Sequence, residues 1–183
     1  MRCSALLLVL GAAIAPAQIP SAITAPCSTL VCDIQTDWLR NNGMVFLTAD
    51  AMPEDKYGSK PTPAQQSFGE RVLHVAEINV MLMGALGGKT PAPKLNFKAT
   101  KKAEILAVLR SAGEYGTAVM KEFSEAQWVE RLKSPPIMVS FMGPEQSRLR
   151  IAYFAMEHTQ DTYGQLVVYL RLSGVIPPLS RQP

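Results

Sequence analysis

The sequence predicts an all-α domain built as a four-helix bundle, and three observations carry that expectation. Four segments place apolar residues at three- and four-residue steps, the period of an amphipathic helix. No convincing alternating strand and no internal repeat accompanies them. With 48% apolar and 18% charged residues over 183 positions, the chain can bury one core of bundle size.

The first seventeen residues read as a separate object. "MRCSALLLVLGAAIAPA" sets Arg2 before an apolar run from Ala5 to Ile14, then Ala15 and Ala17 at A-x-A spacing. This is the layout of a secretory signal peptide cleaved after Ala17. The apolar run is too short to span a bilayer as a helix, and no other segment is long and apolar enough to do so. The mature protein is therefore expected to be exported, either periplasmic or secreted.

Residues 18–32 form an N-terminal extension that carries Cys27 and Cys32 in "CSTLVC". An oxidising compartment favours a local disulfide between them; two free thiols are the alternative. Neither their number nor their spacing suggests a zinc knuckle.

The bundle is expected over residues 33–183. Its first helix runs from about Asp33, which can cap it, to Met52, with Ile34, Trp38, Val45, Ala49 and Met52 on one stripe. For the second helix, Thr62 reads as the N-cap, Pro63 as the first helical residue and Gln65 as the partner in a capping box. Phe68, Val72, Val75, Leu82 and Leu86 make its stripe, and Gly87-Gly88 ends it.

A loop, "KTPAPKLNF", leads to a third helix from about Thr100 to Lys121, with Ile105, Leu109, Ala112, Val119 and Phe123 inward. "SEAQWVERLKSPPIMVSFMG" is expected to be irregular apart from a helical turn near Trp128. The last and longest helix starts at Pro144 and continues to about Leu172. It carries Ile151, Phe154, Ala155, His158, Thr162, Leu166 and Tyr169 on one face. Four antiparallel helices follow, with "SGVIPPLSR" packed as an ordered tail that hides Val175, Ile176 and Leu179. The long second and third connections also allow topologies other than simple up-down-up-down.

The composition excludes several functions. A formal charge of +3, with no basic stripe interleaved with aromatics, argues against nucleic-acid binding. No Walker loop, dinucleotide fingerprint or G-x-S-x-G elbow is present. The chain has two histidines, each on a core-directed helix face and each followed three residues later by a carboxylate: Glu77 after His74, Asp161 after His158. Either histidine alone reads as a hydrogen-bonded core or boundary residue. Together, with no other histidine in the chain, they leave two readings open: a pair of packed core residues, or part of a metal site of the kind bundle cores build from inward His and carboxylate groups on facing helices.

"MPEDKYGSKPTPAQQSFGERVLHVAEIN", followed by "EHTQDTYGQLVVYLRLSGVIPP", resembles the DinB-like family of four-helix bundles over essentially the whole mature chain, from about Asp33 to Arg181. The resemblance implies a divalent metal, zinc or nickel, held by one histidine on the second helix and two on the last. These positions map onto His74, His158 and Thr162, so threonine stands where the family has its third histidine. Asp161, next door, can substitute, giving a metal set of His74, His158 and Asp161; the alternative is that Asp161 is a solvated helix residue. The resemblance also implies a homodimer and, for active members, thiol S-transferase or thiol-dependent isomerase chemistry in which the metal turns a thiol into its thiolate; for this chain a transferase or hydrolase activity is the expectation. Catalytic residues and a small-molecule substrate do not follow from it. The other class compatible with the sequence is a non-catalytic binding or structural bundle that has lost the metal site.

Overall fold

The computed structural model describes residues 27–181. The expected signal peptide and the first part of the N-terminal extension lie outside the described residues. α1 spans Leu30–Ala51, α2 Phe68–Gly84, α3 Lys102–Met120, α4 Glu125–Trp128, α5 Pro136–Met142 and α6 Arg148–Leu172. Single 3-10 turns lie at Glu54–Lys56 and Pro178–Ser180.

The four long helices form the bundle, with α1 beside α3 and α6, and α2 likewise beside α3 and α6. Their direction follows from the core, which divides into two apolar clusters. One joins Val45, Ala49 and Met52 to the starts of α2 and α3 and to the end of α6, through Leu166 and Leu170. The other joins Ile34 and Trp38 to the ends of α2 and α3 and to Ile151 and Ala155. Thus α1 and α6 run one way, and α2 and α3 the other. Among the topologies that the long connections left open, the antiparallel bundle takes up-down-down-up rather than simple up-down-up-down. The physical reason is the long 85–101 connection, which carries the chain back along the bundle so that α2 and α3 lie parallel.

Every apolar stripe residue named for the first three helices is buried, but several boundaries differ. α1 starts three residues before Asp33, and Thr29 rather than Asp33 caps it by accepting from the Cys32 amide. A disulfide joins Cys27, ahead of the helix, to Cys32 within this first turn.

α2 begins at Phe68, not at Pro63. Ser67 and Glu70 form the capping box, while residues 57–67 are pinned outside the helix. The Gly69 amide donates to Tyr57 O at 2.9 Å and the Phe68 amide to Ser59 O at 3.0 Å. Tyr169 Oη donates to Gln66 O at 2.6 Å.

The stretch between α3 and α6 is more ordered than expected. Arg131–Lys133 (β1) pairs antiparallel with Glu145–Ser147 (β2), with Leu132 opposite Gln146. The ribbon places Pro144 before a strand, so α6 starts at Arg148 with Ser147 as its cap. Arg148 ties this excursion down: its guanidinium donates to Leu86 O, Gln127 O and the Glu130 carboxylate. At the other end Gly174 has φ +75° and the Val175 amide returns to Leu170 O at 2.9 Å, closing α6. The tail is ordered, with Val175 against the core and Pro177 buried. Ile176 and Leu179, expected to be hidden, remain exposed.

Candidate metal centre

Between the two apolar clusters the bundle turns polar. Asn79 on α2 is fully buried and donates to Asn42 Oδ1 at 3.3 Å. Its own oxygen lies 3.1 Å from the Thr159 hydroxyl of α6. Asn41 accepts from Gln160. An apolar slip along the bundle would leave these groups unpaired, so the layer fixes the register of α1, α2 and α6. No motif singled these residues out. The signal available was a polar side chain interrupting an apolar stripe, as Asn79 does.

His74 and His158 lie beside this layer, each half-buried. Their Nε2 atoms are 3.2 Å apart and their ring centroids 5.1 Å apart, so the nitrogen-bearing edges face one another. Burial, reinforced by the Arg71 charge, holds His74 below the ordinary imidazole pKa against the opposing pull of Glu77. Burial likewise lowers His158, with contributions from His74 and Arg71 opposed by Asp161. Both rings therefore favour the neutral form, which is the form that binds metal.

Asp161 does not join the pair. It is exposed, and its Oδ2 accepts from Gln165 Nε2 at 2.7 Å along the same helix. Among the described residues, no group of three His, Cys, Asp or Glu side chains is placed to share an ion. Thr162 is 1% exposed, and its hydroxyl has no hydrogen-bond partner among the described residues. The other helical threonines of the core behave differently: Thr48 donates to Met44 O, and Thr159 is within reach of Ala155 O. His158 Nδ1 and Arg71 Nε are likewise buried without partners. Arg71 was not anticipated, although it stands one turn before His74 on α2.

The distances allow a two-imidazole site. Two bonds of about 2.0–2.1 Å to one ion across a 3.2 Å separation enclose about 100–106°, close to the tetrahedral geometry zinc adopts. The pair fits such an ion, with the remaining positions left to water or to a ligand. The full three-donor set does not close.

A family model described as the DinB superfamily matches residues 39–166. Two solved structures share the fold at low identity. One, a DinB-like protein from Bacillus subtilis, has 18% identity and a TM-score of 0.63, covering 82% of this chain and 99% of its own. The other, a DinB-like protein from Bacillus cereus, has 16% identity and a TM-score of 0.66, covering 79% and 93%. No curated protein sequence matches the chain.

Proposed function

The chain belongs to the DinB superfamily, and on that premise we propose that it is an exported bundle binding one divalent ion, zinc or nickel, through His74 and His158. One observation carries the reading: the 3.2 Å separation of the two Nε2 atoms, which suits a single tetrahedral ion. When bound, such an ion would supply Lewis acidity to a coordinated water or thiol, as transferase or hydrolase chemistry requires.

The chain's own residues prepare this position. Val72 and Val75 on α2 and Ile151 and Ala155 on α6 are buried, and both rings are themselves half-buried on those two helices. Arg71 disfavours protonation of both imidazoles. Thr162 offers a hydroxyl that can hydrogen-bond to a ligand at the site but is a poor metal ligand itself. Two imidazoles hold zinc weakly, so affinity is expected to fall below that of a three-histidine site.

Export is part of the same reading, supported by the leader pattern and by the Cys27–Cys32 disulfide, which oxidising compartments permit. A homodimer is also part of it, carried over from the resemblance.

The lack of a third donor among the described residues favours a second reading, a bundle without metal whose histidines hydrogen-bond directly. Elemental analysis of protein purified without added metal separates the two. Stoichiometric zinc, nickel or iron, lost in His158→Ala, supports the metal reading. A stable, metal-free protein that takes up no zinc on titration supports the other.

A further inference from the structure

The face formed by α1 and α3 carries a groove of about 630 Å³, distinct from the histidine pair between α2 and α6. Its volume falls in the range of about 300–1,000 Å³ typical of small-molecule sites. It exists because two facing positions have no side chain. A Cβ built on Gly43 meets nothing within 4 Å, and the nearest atom to one on Gly113 is Asn42 Oδ1, at 3.5 Å, an ordinary van der Waals distance. Trp38 Nε1 donates to Gly113 O at 3.1 Å, which locks the indole as a rigid floor. Phe46, Leu47 and Leu109 supply apolar wall. From Trp38 to Leu47 the groove follows α1 for about 14 Å at 1.5 Å per residue.

The rim is charged and asymmetric. Arg110 lies over the Phe46 ring at 5.1 Å, and Lys121 also lines the groove. Neither has a carboxylate within ion-pair distance among the described residues. Glu114 is the one acidic lining group, so the rim keeps one net positive charge. A guanidinium without a carboxylate partner can offer its N–H groups to a planar anion.

We propose that this groove binds an elongated apolar molecule carrying one carboxylate, its chain along Trp38, Leu47 and Leu109 and its head group on Arg110. The charge at the rim selects the anion, and the preformed floor lets the tail enter without rearrangement.

Calorimetric titration of the full exported protein with dodecanoate, below its micelle concentration, tests the proposal. Saturable one-to-one binding is expected. Arg110→Gln should weaken it about tenfold, the usual worth of a charge-assisted hydrogen bond. Gly43→Leu should abolish it, because the new side chain fills the groove. That variant should melt at or above the wild-type temperature, since a helical glycine has been replaced. Dodecanol binding as tightly as dodecanoate, or wild-type binding by Arg110→Gln, overturns the proposal. So does an absence of saturable binding, or unchanged binding in Gly43→Leu. A dimer that Gly43→Leu disperses overturns it too, because a second copy then covers this face.

Discussion

The Trp38 ring occupies the space where a side chain on Gly116 would begin: a Cβ built there lies 2.2 Å from Trp38 Cζ2 and 2.7 Å from Cε2. The indole is fixed by its bond to Gly113 O, and Met83 Cγ closes the other side at 2.9 Å. Helix propensity alone favours alanine over glycine by about 1 kcal/mol. Overpacking should outweigh it, so Gly116→Ala should lose about 2 kcal/mol net, read as a lower urea midpoint. Gly164→Ala, whose Cβ meets nothing within 4 Å, should instead raise the midpoint. Equal midpoints for the two variants would mean that α1 and α3 are not packed as described.

Glu122 organises the long connection that makes α2 and α3 parallel. Its carboxylate accepts from the Lys89 amide at 2.5 Å and from the Thr90 amide and hydroxyl at 2.8 and 2.6 Å. Those bonds, the Lys89 amide first, hold its pKa below the ordinary carboxylate value. In Glu122→Ala the amides of Lys89 and Thr90 should lose hydrogen-exchange protection while the α6 core keeps its own. Unchanged protection at both amides would remove the carboxylate from that role.

The histidine pair gives the protein a specific acid sensitivity. Both imidazoles are held below the ordinary value of 6.5, chiefly by burial. The unfolded chain therefore binds protons in a range where the folded chain does not, and stability rises with pH there. Stability from the pair should be complete above about pH 6.5 and should fall as the pH drops below it. Arg71 adds to this sensitivity, while Glu77 and Asp161 reduce it. Urea midpoints of chelator-treated protein at pH 7.5 and 5.5 should differ. The His74→Gln, His158→Gln double variant should show a smaller difference, and an equal one would assign the acid sensitivity elsewhere.

The helical stripes were legible because burial and the 3.6-residue period coincide: Ile34, Trp38, Phe68, Val72, Ile105 and Ile151 all reach the core. The α2 start was not, because two capping patterns compete within six residues. Thr62-x-x-Gln65 looks as good as Ser67-x-x-Glu70, and only the tertiary pinning of residues 57–67 by Tyr57, Ser59 and Tyr169 selects the second. The β1–β2 ribbon was hidden for another reason. "RLK" and "EQS" are short and mostly polar, and their pairing spans a loop with its own helix. At the centre, His74 and His158 could be paired from their core-directed faces. The outward turn of Asp161 could not, because position 161 sits at the edge of the α6 stripe and Gln165 one turn on captures its carboxylate.

Thr162 provides the sharpest test of that centre. It lies one turn beyond His158 on the same face of α6, as neighbours at i and i+4 do. It is buried, and its hydroxyl has no partner among the described residues. Thr162→His would restore a third imidazole at the position where the resemblance implies one, at the expense of overpacking a tight site, so the metal-free variant should be less stable by about 1–3 kcal/mol. Adding zinc should more than reverse that loss, because ligands that bind only the folded state stabilise it in proportion to their affinity. The expected result is a larger zinc-dependent rise in melting temperature for Thr162→His than for the wild type, with no rise in a Thr162→His, His74→Ala double variant. Equal zinc responses in the wild type and the single variant would mean that the 3.2 Å contact between His74 and His158 is a hydrogen bond within the core rather than half of a metal site.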